Sequence, residues 1–351
     1  MVESTKASDG AAVPMTSAAG PMIRQIETCL DAVCGPKVRA PWAFLDWPSH
    51  SNVGDSAIWL GTLALLERRF GGAPAYVTRS LDFPADLDRV MPEGTIYLCG
   101  GGNFGDLWQG LQENRIRLLR AFPHRKIVQL PQSIHFSTPE AADDTARAIA
   151  QHPDFTLLVR DRASLDFARQ RFECPLHLCP DLAYGLERLT SRIEPEAPVF
   201  SLMRVDLEKR TGGPDAAAAA RFGPVADWIT DHSRLLRADR AVVSLCRRIP
   251  ALRGHLMARL EGVFRRQALR ELQRGADMLA RGQVVLTDRL HGHILCALMG
   301  KRHVTFDNSY GKLSGFINSW PADGLTRQAS GIDDVEQILR EWADRGGAAR
   351  D

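Results

Sequence analysis

The sequence predicts an α/β protein built from two Rossmann-like domains that face a common cleft. Short apolar runs of strand length alternate with amphipathic segments of helical length along most of the chain. Such alternation implies parallel sheets covered by helices on both faces. A proline-bearing stretch, Ile193–Pro198 (IEPEAP), splits the alternation into two blocks. The 351 residues suffice for two domains of ordinary size, each with its own core. Hydrophobic residues at 44% and charged residues at 25% are the balance of an ordinary globular protein.

The first 21 residues are small and polar, with too little apolar surface to offset ordering, and are expected to form a disordered tail. The first domain then covers residues 22–192. It opens with a helix from Met22 to about Cys34. Strands are expected at Trp42–Trp47, Ala75–Thr78, Thr95–Cys99, Lys126–Leu130, Phe155–Val159 and Leu176–Cys179. A helix running to Phe70 carries the stripe Trp59, Leu63, Leu66 and Phe70, with Asp55 as a candidate cap. The second domain covers residues 193–330. Its expected strands are Val199–Met203, Val284–Thr287 and His303–Phe306, and its helices Phe264–Arg281 and Leu290–Met299. An exposed, mobile loop is expected over Glu208–Ala220, which holds Gly212-Gly213-Pro214 and five alanines. Residues 331–351 form a closing helix, Asp333–Ala343, and a tail. Two such sheets face each other across the carboxyl ends of their strands, where open α/β folds bind ligands.

Composition removes several function classes. The net charge of +2 sets up no global field for nucleic acid, and the pairs Arg247-Arg248 and Arg265-Arg266 come with no groove-reading motif. Seven cysteines, an odd number without a CxxC pair, argue against a disulfide framework or a structural zinc site. They suit a reducing compartment, so a cytoplasmic location is expected. The N-terminus lacks the apolar core of a secretory signal, and no run approaches the ~20 apolar residues of a membrane span. A membrane-borne partner is then reached from the surface.

The richest stretch is Val284–Asp307 (VVLTDRLHGHILCALMGKRHVTFD). A strand ends at Thr287, Asp288 is a plausible helix N-cap, and Arg289, Leu290 and His291 fill the first turn. A helix N-terminus attracts anions. The arginine fork matches phosphate or carboxylate, and histidine exchanges protons near neutral pH. A lone arginine or histidine is more often surface or core; at the carboxyl end of a strand the functional reading prevails. His293 lies two residues from His291 and off its helix face, so the two form no metal pair and His293 reads as structural. No metal cluster is expected.

Three further segments are open to two readings. Ser51-Asn52-Val53-Gly54-Asp55 is either an ordinary βα loop with a capping aspartate or a loop whose Asn52 and Asp55 bond ligand hydroxyls. Gly100-Gly101-Gly102-Asn103-Phe104-Gly105-Asp106 is either a tight turn or a close backbone approach to a ligand. Its literal GxGxxG match lacks the acidic residue after the next strand that a nicotinamide site needs. Arg204, past the strand Val199–Met203 with Asp206 close by, is either a loop arginine or a second cation. GxxxxGK[ST], GxSxG and HExxH do not occur.

Taken in order, Asn52-Val53-Gly54-Asp55-Ser56-Ala57, Gly100-Gly101-Gly102-Asn103 and Asp288-Arg289-Leu290-His291-Gly292 resemble the polysaccharide pyruvyltransferase family. Asp307-Asn308 and Lys312 resemble members acting in bacterial exopolysaccharide synthesis. The resemblance covers most of the chain from about Asp46 to Trp320. It implies a fold like the two-domain GT-B glycosyltransferases. It implies transfer of a pyruvyl group from phosphoenolpyruvate to two hydroxyls of a sugar, giving a cyclic ketal and phosphate, with no cofactor besides that donor. It carries donor contact onto Arg289, Leu290 and His291, with Arg204 as the match for a further arginine. The acceptor side is then Asn52, Gly54, Asp55, Gly101, Gly102 and Asn103. His291 fits the acid that protonates the enol carbon, and Asp55 and Asp106 are candidate bases. A lipid-linked oligosaccharide at the inner face of the membrane is the expected acceptor, with peripheral membrane contact. A nucleotide-sugar glycosyltransferase and a non-catalytic glycan-binding protein of the same fold are the alternatives.

Overall fold

The computed structural model describes residues 19–35, 39–204, 216–229, 237–307, 312–320 and 324–347. Most of the expected loop Glu208–Ala220, together with Asp206 and Asn308, lies outside these residues. Of that loop, residues 216–219 form one helical turn.

The first sheet is entirely parallel. Its strands are β1 (Trp42–Trp47), β2 (Tyr76–Arg79), β3 (Thr95–Leu98), β4 (Gly101–Gly105), β5 (Ile127–His135), β6 (Phe155–Val159) and β7 (Leu176–Leu178). They run in the order β2-β1-β3-β5-β6-β7, with β4 added alongside β5. Strands buried on both faces must be apolar throughout, which is why WAFLDW and FTLLV read as continuous hydrophobic runs. Helices α1 (Ala19–Cys34), α2 (Val53–Phe70), α3 (Leu87–Val90), α4 (Gln109–Ala121), α5 (Asp143–Ala150) and α6 (Arg162–Arg171) accompany it. Helix α1 begins at Ala19, so the last three residues of the expected tail are helical.

The second sheet is also parallel. It holds β8 (Ala197–Leu202), β9 (Val225–Ala226), β10 (Gly282–Thr287), β11 (His303–Thr305) and β12 (Thr326–Gln328), ordered β12-β11-β10-β8-β9. Its helices are α7 (Ala216–Ala219), α8 (Arg237–Arg248), α9 (Pro250–Ala280), α10 (Leu290–Met299), α11 (Lys312–Ser319) and α12 (Ile332–Gly347). The helix expected over Phe264–Arg281 is only the second half of α9, whose 31 residues start at Pro250, a residue suited to a first turn.

Each sheet reverses its direction of growth once. In the first the chain passes from β1 out to β2, then returns to place β3 on the other side of β1. In the second it passes from β8 to β9, then places β10 on the other side of β8. Ligands in such folds bind outside the carboxyl ends of the two strands that flank the switch. Those ends carry Asp46 and Gly100 in the first sheet, and Arg204 and Arg289 in the second.

The two halves are packed together rather than merely linked. One apolar core includes Phe44 and Leu45 of β1, Phe264 of α9, and Phe200 and Val285 of the second sheet. Trp47 stacks on Phe264 with centroids 4.2 Å apart and planes within 3°, an arrangement that adds about 1 kcal/mol beyond area burial. A smaller core, with Val304, Phe306 and Trp342, lies under α12.

Candidate functional site

Strand β10 hands over to α10 as the sequence predicts, with one change at the cap. Arg289, not Asp288, occupies the N-cap position, in extended backbone and without a side-chain capping bond. The Arg289 amide donates instead to Thr287 Oγ1 at 3.0 Å. Asp288 Oδ1 accepts the Arg204 amide at 2.9 Å, so it ties the ends of β8 and β10 together. Burial pushes the Asp288 carboxyl up to about 6, against the pull of that bond and of the Arg289 and Arg204 charges. Leu202 and Thr287 are register partners, so Arg204 and Arg289, each two residues further on, stand at adjacent strand ends.

The Arg289 guanidinium is buried and paired. Its Nε and Nη2 donate to Asp227 Oδ1 and Oδ2 at 2.7 and 2.6 Å, a bidentate fork in which the side chains are 3% and 4% exposed. The guanidinium carbon lies 5.6 Å from the Trp228 ring centroid. Asp227 follows β9, the neighbour of β8, and sequence reasoning missed it. Leu290 turns into the apolar core at 7% exposure, so what it offers the cleft is backbone at the first turn of α10.

His291 joins the two halves. Its imidazole lies against Gly54, where a Cβ would sit 2.3 Å from Nδ1 and 2.5 Å from Cγ. The glycine of the first motif is therefore required by the histidine of the last. On the other side, His291 Nε2 is 3.3 Å from Asp181 Oδ2, within ion-pair range yet too poorly aligned to count as a hydrogen bond. Asp181 follows β7 and is 1% exposed on its side chain. It also accepts Arg160 Nη1 at 2.7 Å and the Ala183 amide at 2.9 Å. Burial acts to raise the Asp181 carboxyl, but the facing His291 and Arg160 outweigh it and hold the group well below the usual carboxylate range. Arg160 is held in turn by Ser133 Oγ at 2.9 Å, and Ser133 donates to Asp161 at 2.6 Å.

Beneath His291 lies the first motif. Asn52 caps α2, its side-chain oxygen accepting the Gly54 amide at 3.1 Å. Asn52 is thus the cap in place of the expected Asp55, and Asn52 Nδ2 donates to Asp55 Oδ2 at 2.8 Å. His50 Nε2 is 3.5 Å from the same oxygen.

The glycine run begins a strand rather than a turn. Gly101, at φ +144°, faces Asp55 Oδ1, which a Cβ there would approach to 3.9 Å. Gly102 and Asn103 follow on β4. Asn103 Oδ1 accepts both Arg115 Nη2 at 2.9 Å and Gln132 Nε2 at 3.0 Å, which fixes the amide with its NH2 turned away from both. Arg115 is 2% exposed, with Gln129 and Gln112 as its other partners. Asp106 does not join this group. Gly105 pairs with His135, three residues along β5 from the partner of Gly101, so Asp106, just beyond β4, lies roughly 10 Å or more from Gly101, where it accepts the Ser137 amide at 2.8 Å. A base must stand within hydrogen-bond reach of its proton, so Asp106 is too remote for that role.

The structure thus gathers Asn52, Gly54, Asp55 and Gly101 under His291, and Arg204 beside Arg289. His293 is interior: its Nδ1 lies 2.7 Å from His303 Nε2. Among the described residues no group of three or more His, Cys, Asp or Glu side chains is placed to hold a metal ion. No described helix is long and apolar enough to cross a membrane.

Two parallel sheets with a cationic junction facing a glycine-lined loop define a GT-B-like α/β protein whose candidate site lies between the halves. Residues 52–310 match the polysaccharide pyruvyl transferase family, and the chain belongs to that family. EpsO of Bacillus subtilis is 29% identical over 82% of this chain and 88% of its own length. Pyruvyl transferase 1 of Schizosaccharomyces pombe is 29% identical over 87% and 76%. The crystal structure of an uncharacterized protein from Klebsiella pneumoniae superposes with a TM-score of 0.54 at 17% identity, over 88% of this chain and 99% of that one, and shares its fold.

Proposed function

We propose that this transferase moves the pyruvyl group of phosphoenolpyruvate onto two hydroxyls of one sugar in an exopolysaccharide precursor, forming a cyclic ketal and releasing phosphate. The observation that carries the reading is the seating of His291, at the start of α10, between Gly54 and Asp181 of the other half.

The donor bears a phosphate and a carboxylate. Arg289, Arg204 and the α10 N-terminus supply matching positive character at one switch point. Asp227 already supplies an anion to Arg289, so donor binding exchanges one anion for another. His291, as the imidazolium, gives its proton to the enol carbon, which becomes a methyl group. The adjacent carbon turns oxocarbenium-like and is captured by a sugar oxygen. Asp181, 3.3 Å from the ring, gives the imidazolium a counter-charge, one of the roles that the aspartate of a catalytic triad plays for its histidine. Asn52, Asp55, Gly101, Gly102 and Asn103 form the acceptor side. The acceptor is a lipid-linked oligosaccharide, met at the inner face of the membrane from the cytoplasm.

The test is phosphate release from phosphoenolpyruvate across a panel of sugar acceptors, with mass spectrometry of the product. Release with gain of a pyruvyl ketal is expected, and His291→Ala should abolish turnover while keeping donor affinity within a fewfold. Transfer of a sugar from a nucleotide donor, with no response to phosphoenolpyruvate, would overturn the reading.

A further inference from the structure

Asp46 is the penultimate residue of β1, at the switch point of the first sheet, and its geometry is unusual. Phe44 pairs with Val77 and Trp47 with Arg79, so two residues of β1 bulge opposite one of β2. Bulges beside functional sites re-aim a side chain. Asp46 sits in this bulge at φ +70°, a left-handed conformation that few residues other than glycine adopt. The Ser80 hydroxyl holds the bulge by donating to the Asp46 and Trp47 carbonyls, each at 3.1 Å.

Among the described residues the Asp46 carboxylate has no hydrogen-bond or ion-pair partner, although it is only partly open to solvent. The other carboxylates near His291 are engaged: Asp55 by Asn52 and His50, Asp181 by Arg160 and Ala183, Asp288 by the Arg204 amide. The Cys99 amide donates to the Leu45 carbonyl at 3.2 Å, so Asp46 follows at the strand end beside Cys99 and the glycine run, where Gly101 faces Asp55 Oδ1. The charged side chain acting on Asp46 is Arg115 of α4, whose partners among the described residues are amide oxygens and the Phe104 face.

Within the pyruvyl-transfer reading, on which this rests, we infer that Asp46 is the catalytic base that takes the proton of the attacking sugar hydroxyl. As the sugar oxygen bonds to the ketal carbon, its O–H bond breaks and the proton passes to the Asp46 carboxylate. As the bond from that carbon to the phosphate oxygen breaks, the electron pair leaves with phosphate, and Asp46 returns the proton to it. The second hydroxyl closes the ring and restores the proton that His291 gave to the enol carbon. Protons and charge balance, and both groups regain their starting states. Burial raises the Asp46 carboxyl to about 6 against the pull of Arg115, which suits a group that accepts and then returns a proton near neutral pH.

Asp46→Asn tests this, because asparagine tolerates the left-handed backbone and removes only the ionisation. Phosphate release from phosphoenolpyruvate is measured against methyl glycosides of common hexoses, for wild type and variant, from pH 5 to 9. The expected result is a turnover number lowered about 100-fold or more, with KM for phosphoenolpyruvate within twofold. The rise of wild-type rate as pH climbs through about 6 should vanish in the variant. A variant that matches wild-type turnover and profile would overturn the base while leaving the reaction intact. A wild type that releases no phosphate with any acceptor would overturn the reaction, and the base with it.

Discussion

Replacing Gly54 with alanine tests the contact between the two halves at the point where the acid is held. The new Cβ would lie 2.3 Å from His291 Nδ1, 2.5 Å from Cγ and 2.8 Å from Cβ. Ordinary contact is about 3.5 Å, so the ring must retreat by roughly 1.2 Å. Retreat carries it off the Gly54 face and alters its approach to Asp181. Overpacking of this kind costs about 1–3 kcal/mol, and a 1 Å misplacement of a catalytic group can cost on the order of 100-fold in rate. Gly54→Ala should therefore remain folded with a Tm lowered by several degrees, and release phosphate about 100 times more slowly. Scanning calorimetry and the phosphate-release assay, run on one preparation, read both effects. Wild-type turnover at wild-type Tm would show that His291 does not depend on this seat, and the reasoning about the site would fail.

Asp227→Asn leaves the buried Arg289 without its carboxylate and should cost about 3–5 kcal/mol of stability. Phosphoenolpyruvate should restore more of the Tm in this variant than it adds to wild type; equal increments would argue that the donor does not reach Arg289. Asp181→Asn should lower turnover at least about 100-fold with little change in KM for the donor; an equal loss in both would point to a structural role instead. Because the Asp181 carboxyl is held below its unfolded value, its stabilising contribution is present above about pH 4 and lost on acidification through the folded value. Asp46 has the opposite sign. Its carboxyl is raised from 3.8 to about 6, so its contribution is full below about pH 4, fades as pH rises to 6, and above that the carboxylate costs about 3 kcal/mol. Asp46→Asn should gain stability over wild type as pH rises from 4 to 8 in chemical denaturation; a gap independent of pH would contradict the burial argument.

Alternation and apolar runs made the parallel sheets and most strand positions legible, because doubly covered strands leave a clear pattern. They did not reveal β4, whose Gly101-Gly102-Asn103 reads as a turn and forms a strand only by pairing with β5 beyond Pro131. They did not reveal α8 or the first half of α9, where a high share of arginine lowers the mean hydropathy around the apolar face. At the site, the residues of continuous motifs were found: His291, Arg289, Gly54 and Asn52. Arg160, Asp181, Asp227 and Asp46 were not, since each stands alone in sequence and gains meaning only from a partner far along the chain. The rule that flagged Arg204, a polar residue just past a strand's carboxyl end, applies equally to Arg160, Asp181 and Asp227, whereas Asp46 lies within β1 and is set apart by its bulge. What it could not supply is which strand ends are neighbours; the sheet order does that. Asp106 shows the converse, for it belongs to the glycine motif in sequence and is carried away from the site by the length of β4.

The central claim is that the junction of β10 and α10 holds the donor against His291. A crystal structure with phosphoenolpyruvate bound tests it most directly. The donor's anionic groups are expected on Arg289 and Arg204, with Asp227 drawn off the guanidinium, and the enol carbon about 3–3.5 Å from the His291 ring. Donor bound elsewhere, with the Arg289–Asp227 fork intact and His291 out of reach, would contradict it.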